Sequence, residues 1–309
     1  MDNIPYYYAS IIFSQIADIV ILNNDHTKYN KFDIENKEKL IIFILNKNDF
    51  FDYVFNQFIE KIKVPFIIIT AMEDSTFPKE YNPSTLDKIK NNKYFHHWYS
   101  INKSIPNNDY FTSIPYGLDY HTLNSRSLWL EPVTPIMEQD SILCSIANNT
   151  PHFSKRINKI YVNCHLHMSD YRFGNFRGNI QHIIPNNITH FQENFMKRTD
   201  MYKELTKYAF VLSPFGNGID CIRTFEALIL GCIPILHRSF IGIDSLYQGL
   251  PVIIVSNWGE LTEEFLEKSL NELKDKTFQY EKLTMKYWLE VITNRFDRIE
   301  GGGGGEENN

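Results

Sequence analysis

The 309-residue chain reads as an α/β protein of two parallel-sheet units that face each other across a cleft. Three observations lead there. Short continuous apolar runs such as "LIIFIL" (40–45), "PFIIIT" (65–70) and "AFVLS" (209–213) have the length and two-sided apolar character of buried parallel strands. Helical patterns alternate with them, which is how crossover-connected sheets are written in sequence. The pattern lapses over 127–140, where "SLWLEPVTPIMEQD" carries two prolines and no period, so a linker falls there.

Taken in order, a helix is expected over "YYYASIIFSQIA" (6–17), followed by strands "DIVIL" (18–22) and "LIIFIL". In "DFFDYVFNQFIEKIK" (49–63), Phe51, Val54, Phe55, Phe58, Ile59 and Ile62 keep the spacing of one helix face. Strand "PFIIIT", helix "STLDKIKN" (84–91) and strands "YFHHWYS" (94–100) and "YFTSIPYG" (110–117) complete an N-terminal unit of residues 1–126. After the linker at 127–140, a C-terminal unit of 141–298 opens with strand "KIYVNCHL" (159–166). Helix "TDMYKELTKY", strand "AFVLS", a loop and helix, strands "IPIL" and "PVIIV", and helices "TEEFLEKSLNELKD" and "YEKLTMKYWLEVITNRF" follow. The tail, 299–309, ends in "GGGGGEENN" and is expected to be disordered.

Composition narrows the function. Lys and Arg number 31 against 37 Asp and Glu, a net charge of −6, which argues against nucleic acid or an anionic membrane as the main partner. Cys144, Cys164, Cys221 and Cys232 form no Cys-x-x-Cys pair, so neither a zinc ribbon nor a disulfide framework is indicated and a reducing compartment fits. The N-terminus lacks a basic region and carries Asp2, Gln15 and Asp18, so it reads as neither a signal peptide nor a membrane span. A cytoplasmic protein is expected. Heavy use of Ile, Asn, Lys, Phe and Tyr is a bias of AT-rich genomes such as those of protists and large DNA viruses, and in the viral case the compartment is the host cytoplasm.

The stretch "SPFGNGIDCIRTFEALILGCIPIL" (213–236) carries the densest signal. Gly216 and Gly218 follow an apolar strand and open a helix, Asp220 or Gly218 is placed to cap it, and Gly231 to end it in the left-handed region. Ile222, Phe225, Leu228 and Ile229 would be its buried face, with Arg223 and Glu226 together on the other side. A surface ion pair is the plain alternative for those two. Free N–H groups, close backbone approach and a fixed cation are what a diphosphate requires. The dinucleotide fingerprint fails because Cys221 stands where its third glycine belongs, and no Gly-Lys-Ser/Thr follows to make a Walker A loop.

"YAFVLSPFGNGIDCIRTFEALILGCIPILHRS" followed by "LYQGLPVIIVSNW" resembles the exostosin-like glycosyltransferases and related viral and protist sugar transferases, with weaker similarity at "YVNCHL", "IIITAMEDSTFP", "WYSIN" and "IPYGLDYHT". That resemblance implies the GT-B architecture of two Rossmann-like domains. It also implies hexosyl or pentosyl transfer from a nucleotide-diphosphate sugar, UDP- ahead of GDP-, to a hydroxyl of a glycan or glycoconjugate, with inversion and without a cofactor. One position departs from the family pattern, which often has histidine where this chain has Ile222. No Asp-x-Asp occurs, so no metal is expected; "DIE" (33–35) is the nearest approach.

The chemistry divides between the two units. Ser213, Gly216, Asn217, Gly218, Asp220, Arg223 and Thr224 are expected to bind the donor, with Glu226 on the ribose and Arg172 and Arg177 of "DYRFGNFRGN" as further cations or as solvated loop charges. Asp74 is the expected general base, with Glu73 beside it and His121, oriented by Asp119, as the other candidates. Asp74 could equally cap its turn. The histidines of "FHHWYS" and "HLH" lack carboxylates at ligand spacing and read as strand and loop residues. A catalytically silent nucleotide- or glycan-binding protein is the alternative, and a sugar epimerase a more distant one.

Overall fold

A computed structural model describes residues 4–21, 37–45, 58–72, 74–167, 177–238 and 245–300. Ten strands form two parallel sheets among these residues. The first contains β1 (Ile19–Ile21), β2 (Leu40–Leu45), β3 (Phe66–Ala71), β4 (Phe95–Ser100) and β5 (Phe111–Ser113), in that spatial order. β2 and β3 pair in register along their full length, from Leu40 opposite Phe66 to Leu45 opposite Ala71.

The second sheet contains β6 (Ile157–Val162), β7 (Thr189–Phe191), β8 (Tyr208–Leu212), β9 (Ile233–His237) and β10 (Ile253–Val255). Its order is β10-β9-β8-β6-β7. The chain lays β7 on one side of β6 and then crosses over to lay β8 on the other. That reversal is a topological switch point, and the crevice beyond the carboxyl ends of β6 and β8 is where open parallel sheets take ligands. The first sheet, laid down consecutively, has no such reversal among its described strands.

Strand alternation explains why these runs are continuously apolar. Ile67, Ile69 and Ala71 of β3 point into a core shared with Tyr161, Phe225 and Leu228 of the second unit, whereas Phe66 and Ile68 point into a separate cluster with Phe77 and Trp98. Across the second sheet, Val162, Phe210, Leu212 and Ile235 pack with Trp258 in a third cluster.

Several elements depart from expectation. The N-terminal helix is confined to a 3₁₀ turn at Ser10–Ile12 and α1 (Phe13–Ile16), because Tyr8 is drawn into backbone bonds with Leu283 (2.9 Å) and Leu118 (3.0 Å). Residues 49–57 of the expected second helix lie outside the described residues, and Ile59–Lys61 is a 3₁₀ turn. α2 (Pro83–Lys90) falls where "STLDKIKN" predicted it. Between β5 and β6 come α3 (His121–Ser125) and α4 (Ile136–Asn148); the latter begins inside the segment read as linker. Pro135 precedes its first residue, so the proline that suggested irregularity opens a helix instead.

Among the described residues, the second half also holds α5 (Ile180–Ile183), α6 (Arg198–Leu205), α7 (Ile222–Ile229) and α8 (Glu263–Leu273). The last, α9 (Met285–Glu300), returns to the first sheet. Its Val291 carbonyl accepts from Tyr99 Oη (3.3 Å), Arg295 donates to the Asp109 carbonyl (2.6 Å), and Trp288 meets Tyr8 with ring centroids 5.5 Å apart.

Candidate functional site

A cavity of about 440 Å³ lies at the carboxyl ends of β6 and β7 and the start of α7. Asn163 and Cys164 follow β6, Gln192 follows β7, and Ile222, Arg223 and Glu226 enter from α7. Burial explains the orientation of α7. Thr224 through Ile229 are all buried, so this helix is enclosed on nearly every side, and Ile222, expected on the buried face, instead lines the cavity. Its N-cap is Cys221, with extended backbone and no side-chain cap, rather than Gly218 or Asp220. It ends as expected at Gly231 (φ +68°), with Gly231 N–H donating to the Leu228 carbonyl (3.0 Å) and Cys232 N–H to that of Ala227 (2.8 Å).

Arg223 and Glu226 share the cavity wall but do not pair with each other. Arg223 Nε donates to Asn163 Oδ1 at 2.7 Å, which aims the guanidinium from the end of β6. Beyond a 4.0 Å approach of one terminal nitrogen to Cys221 Sγ, its remaining donors have no protein partner among the described residues. Glu226 Oε1 accepts from Arg198 (2.9 Å) and from Tyr202 Oη (2.7 Å), while Oε2 has no partner among the described residues. Arg198 is itself 8 % exposed. Burial alone would discourage its charge, but Tyr202 and Glu226 beside it outweigh that and hold it above the usual arginine range.

The other guanidinium nitrogen of Arg198 donates to the Asp119 carbonyl at 2.9 Å, and its plane lies 4.6 Å from the Trp129 ring centroid and 5.4 Å from that of Tyr202. Sequence reasoning passed over both Arg198 and Trp129. Arginine at the start of a helix looks like ordinary surface charge, and Trp129 stood in the segment taken as linker. Trp129 (φ +53°) and Leu130 (φ +57°) are the two central residues of a hairpin turn closed by reciprocal backbone bonds between Leu128 and Glu131. Such turns normally use Asn, Asp or Gly, and a bulky residue in the left-handed region costs about 1–2 kcal/mol. The turn is held against α6 by Glu131, whose Oε1 accepts from Thr199 N–H (3.1 Å), and by the Trp129 carbonyl, which accepts from Arg198 N–H (3.3 Å).

The glycine-bearing loop lies off the cavity wall. Ser213 Oγ contacts Thr224 Oγ1 at 2.9 Å and both are buried. A Cβ on Gly218 would stand 2.6 Å from the Asn102 side chain, so the group that approaches this glycine closely belongs to the first unit of the same chain. Asp220 is buried as well. It accepts from Tyr116 N–H (2.7 Å), Cys221 N–H (2.8 Å) and Tyr247 Oη, and burial raises its carboxyl to about 6 against the lowering effect of those bonds. Arg177 donates to the carbonyls of Phe215 (2.6 Å), His165 (3.1 Å) and Pro214 (3.2 Å), so it braces the loop instead of facing the cavity. Gly216 lies beside it, 3.6 Å from Arg177 at an added Cβ, and Asn217 is exposed.

On the first unit, His121 Nδ1 stands 2.7 Å from Asp119 Oδ1. Asp119 also accepts from Thr122 N–H (3.0 Å) and Thr122 Oγ1 (2.8 Å). Burial pushes its carboxyl up, but the adjoining His121 imidazole and the bonds from Thr122 outweigh this and leave it below the ordinary range. Asp74 is exposed in the loop after β3. Burial and then the charges of Asp119, Asp74 and Asp220 raise the Tyr116 hydroxyl. Glu73, Arg172 and "DIE" lie outside the described residues. His97 is a core residue, bonded to the Asp109 carbonyl (2.9 Å) and Thr112 Oγ1 (2.8 Å) and lowered to about 4 chiefly by burial. No group of three His, Cys, Asp or Glu among the described residues is arranged to hold a metal ion, and no described helix is long and apolar enough to cross a membrane.

No family model and no curated protein matches the chain, so membership of the exostosin-like family is not shown. Among solved structures, the chain is similar to an α1,3-fucosyltransferase at 14% identity and a TM-score of 0.42, over 88% of this chain and 79% of that one. It is also similar to an α1,3-fucosyltransferase with GDP-fucose, at 14% identity and a TM-score of 0.40, over 94% and 97% of the two chains. A UDP-forming α,α-trehalose-phosphate synthase from Burkholderia vietnamiensis has 8% identity and a TM-score of 0.39, over 88% and 75%. Likenesses this distant carry no conclusion about function.

Proposed function

We propose that this protein is a glycosyltransferase that moves a sugar from a nucleotide-diphosphate donor to an acceptor hydroxyl. The observation that supports it best is Arg223: a guanidinium fixed through one nitrogen by Asn163, lining a cavity at the carboxyl end of β6, one of the two strands that flank the switch point, and at the first turn of a helix. Arg223 and the N–H groups at the start of α7 would receive the diphosphate. Glu226 Oε2 would accept from ribose hydroxyls while Oε1 stays with Arg198 and Tyr202. The first unit would face this site across a cleft, as in the GT-B architecture, and present the acceptor.

In the reaction, the bond from the anomeric carbon to the phosphate oxygen breaks and the acceptor oxygen bonds to that carbon from the opposite side, inverting it. Negative charge grows on the leaving diphosphate, where Arg223 stabilises it without a metal ion or other cofactor. The acceptor proton passes to a base. His121, whose Nδ1 stands 2.7 Å from Asp119 Oδ1, and Asp74 are the candidates, and the Arg198 bond to the Asp119 carbonyl ties the former to the cavity wall. A base so placed favours turnover over the reading of a silent binding protein.

A panel of UDP- and GDP-sugars assayed with glycan acceptors, with and without excess EDTA, tests this. Transfer of one sugar in the presence of EDTA is expected. Transfer abolished by EDTA and restored by manganese would overturn the metal-free step, and binding of nucleoside diphosphates without transfer or hydrolysis would leave the silent binding protein.

A further inference from the structure

The cavity has two aromatic side chains that neither core packing nor the chemistry above uses. Trp129 is half-buried on its wall, although Trp98, Trp258 and Trp288 are all buried in the interior. Phe195 lines the same cavity and is 66 % exposed, the highest value for any large apolar side chain among the described residues. No ring contact joins Phe195 to another aromatic among those residues. A phenylalanine solvated at a cavity mouth is open to a ligand that enters, and burying its ring against that ligand would be favourable.

Trp129 is held in place by unusual means. It occupies a left-handed backbone position that bulky residues avoid, and it is kept there by Glu131 on the N-terminus of α6 and by the backbone bond from Arg198. Arg198 packs over its ring at 4.6 Å and is fixed in turn by Glu226. These contacts hold the ring on the wall that also carries Glu226.

We propose that Trp129, with Phe195 at the rim, is the stacking surface for the heteroaromatic base of the nucleotide. This rests on the glycosyltransferase reading, because it assigns the base of the same donor. A planar base offers a π-face to both rings, and base–aromatic stacking tolerates any base identity, so this surface supplies affinity while leaving the choice of base to polar groups elsewhere in the cavity.

Calorimetric titration with UDP, GDP and inorganic pyrophosphate tests it in the full chain. Trp129→Leu and Phe195→Ala are each expected to weaken UDP and GDP about tenfold or more and to leave pyrophosphate unchanged. Trp129→Phe should restore part of the loss. Phe195→Ala removes a solvated side chain and decides the question even if the leucine variant does not fold. UDP and GDP affinities unchanged in the folded variants, or an equal loss for pyrophosphate, would overturn the proposal. Wild-type protein that binds none of the three would instead overturn the donor-site reading itself.

Discussion

At the scale of single residues, the two charged side chains of α7 have different roles. Arg223 is half-buried with most of its donors unpaired among the described residues, so Arg223→Ala should lower nucleoside-diphosphate affinity by about 1.5–3 kcal/mol while changing stability by less than about 0.5 kcal/mol. Calorimetry and urea unfolding separate the two effects. Glu226 is tied into the interior. Glu226→Ala leaves the Arg198 charge buried without its partner, and a loss of about 3–5 kcal/mol is expected in urea unfolding. Converting both residues to methionine should recover most of that loss, since a well-packed apolar pair replaces a buried ion pair at little net cost. If the double variant is as unstable as the single one, the pair contributes through something other than charge compensation.

At the scale of elements, the end of α7 is the sharpest point of the motif. Gly231 adopts φ +68°, and an added Cβ would stand 2.7 Å from a guanidinium nitrogen of Arg156. That guanidinium donates to the Leu230 carbonyl (3.0 Å) and to Cys232 Sγ (2.9 Å), closing the helix end from outside. Gly231→Ala combines backbone strain with displacement of this brace. It should lower stability by about 1–3 kcal/mol in thermal or urea unfolding, and near wild-type stability would mean that Arg156 yields without loss.

At the scale of the whole molecule, Asp220 joins the two halves by accepting from Tyr116 N–H while it also takes the Tyr247 hydroxyl, and burial raises its carboxyl from 3.8 to about 6. A folded-state value above the unfolded one means that the native state binds the proton more tightly. The stabilisation this gives is complete below about 3.8 and is lost as pH rises through about 6, roughly 3 kcal/mol over the window. Urea midpoints between pH 4 and 8 should therefore fall with pH relative to Asp220→Asn, whose amide does not titrate. A difference independent of pH would show that Asp220 titrates at its ordinary value.

Strand positions and the βα succession were legible in the sequence because buried parallel strands need continuous apolar runs, and β2, β3, β4, β8 and β9 follow them closely. Gly231 was legible for the same kind of reason, since a helix end demands a left-handed residue locally. β7 was missed because "THF" is too short to show a period, and α4 because its opening proline looked like a breaker. Strand order, in contrast, is a long-range property. Placing β8 beyond β6 creates the crevice, and no local pattern encodes that choice. The partners of charged groups are likewise set by distance in space: Glu226 finds Arg198, 28 positions away, instead of the Arg223 three positions before it, and Gly218 makes room for Asn102. The sequence by itself determined most of the strands and the C-terminal end of α7, which depend on local propensity and period. Only tertiary packing decided which of the motif's residues face a ligand and which brace the loop, because that depends on what the rest of the chain brings against each side chain.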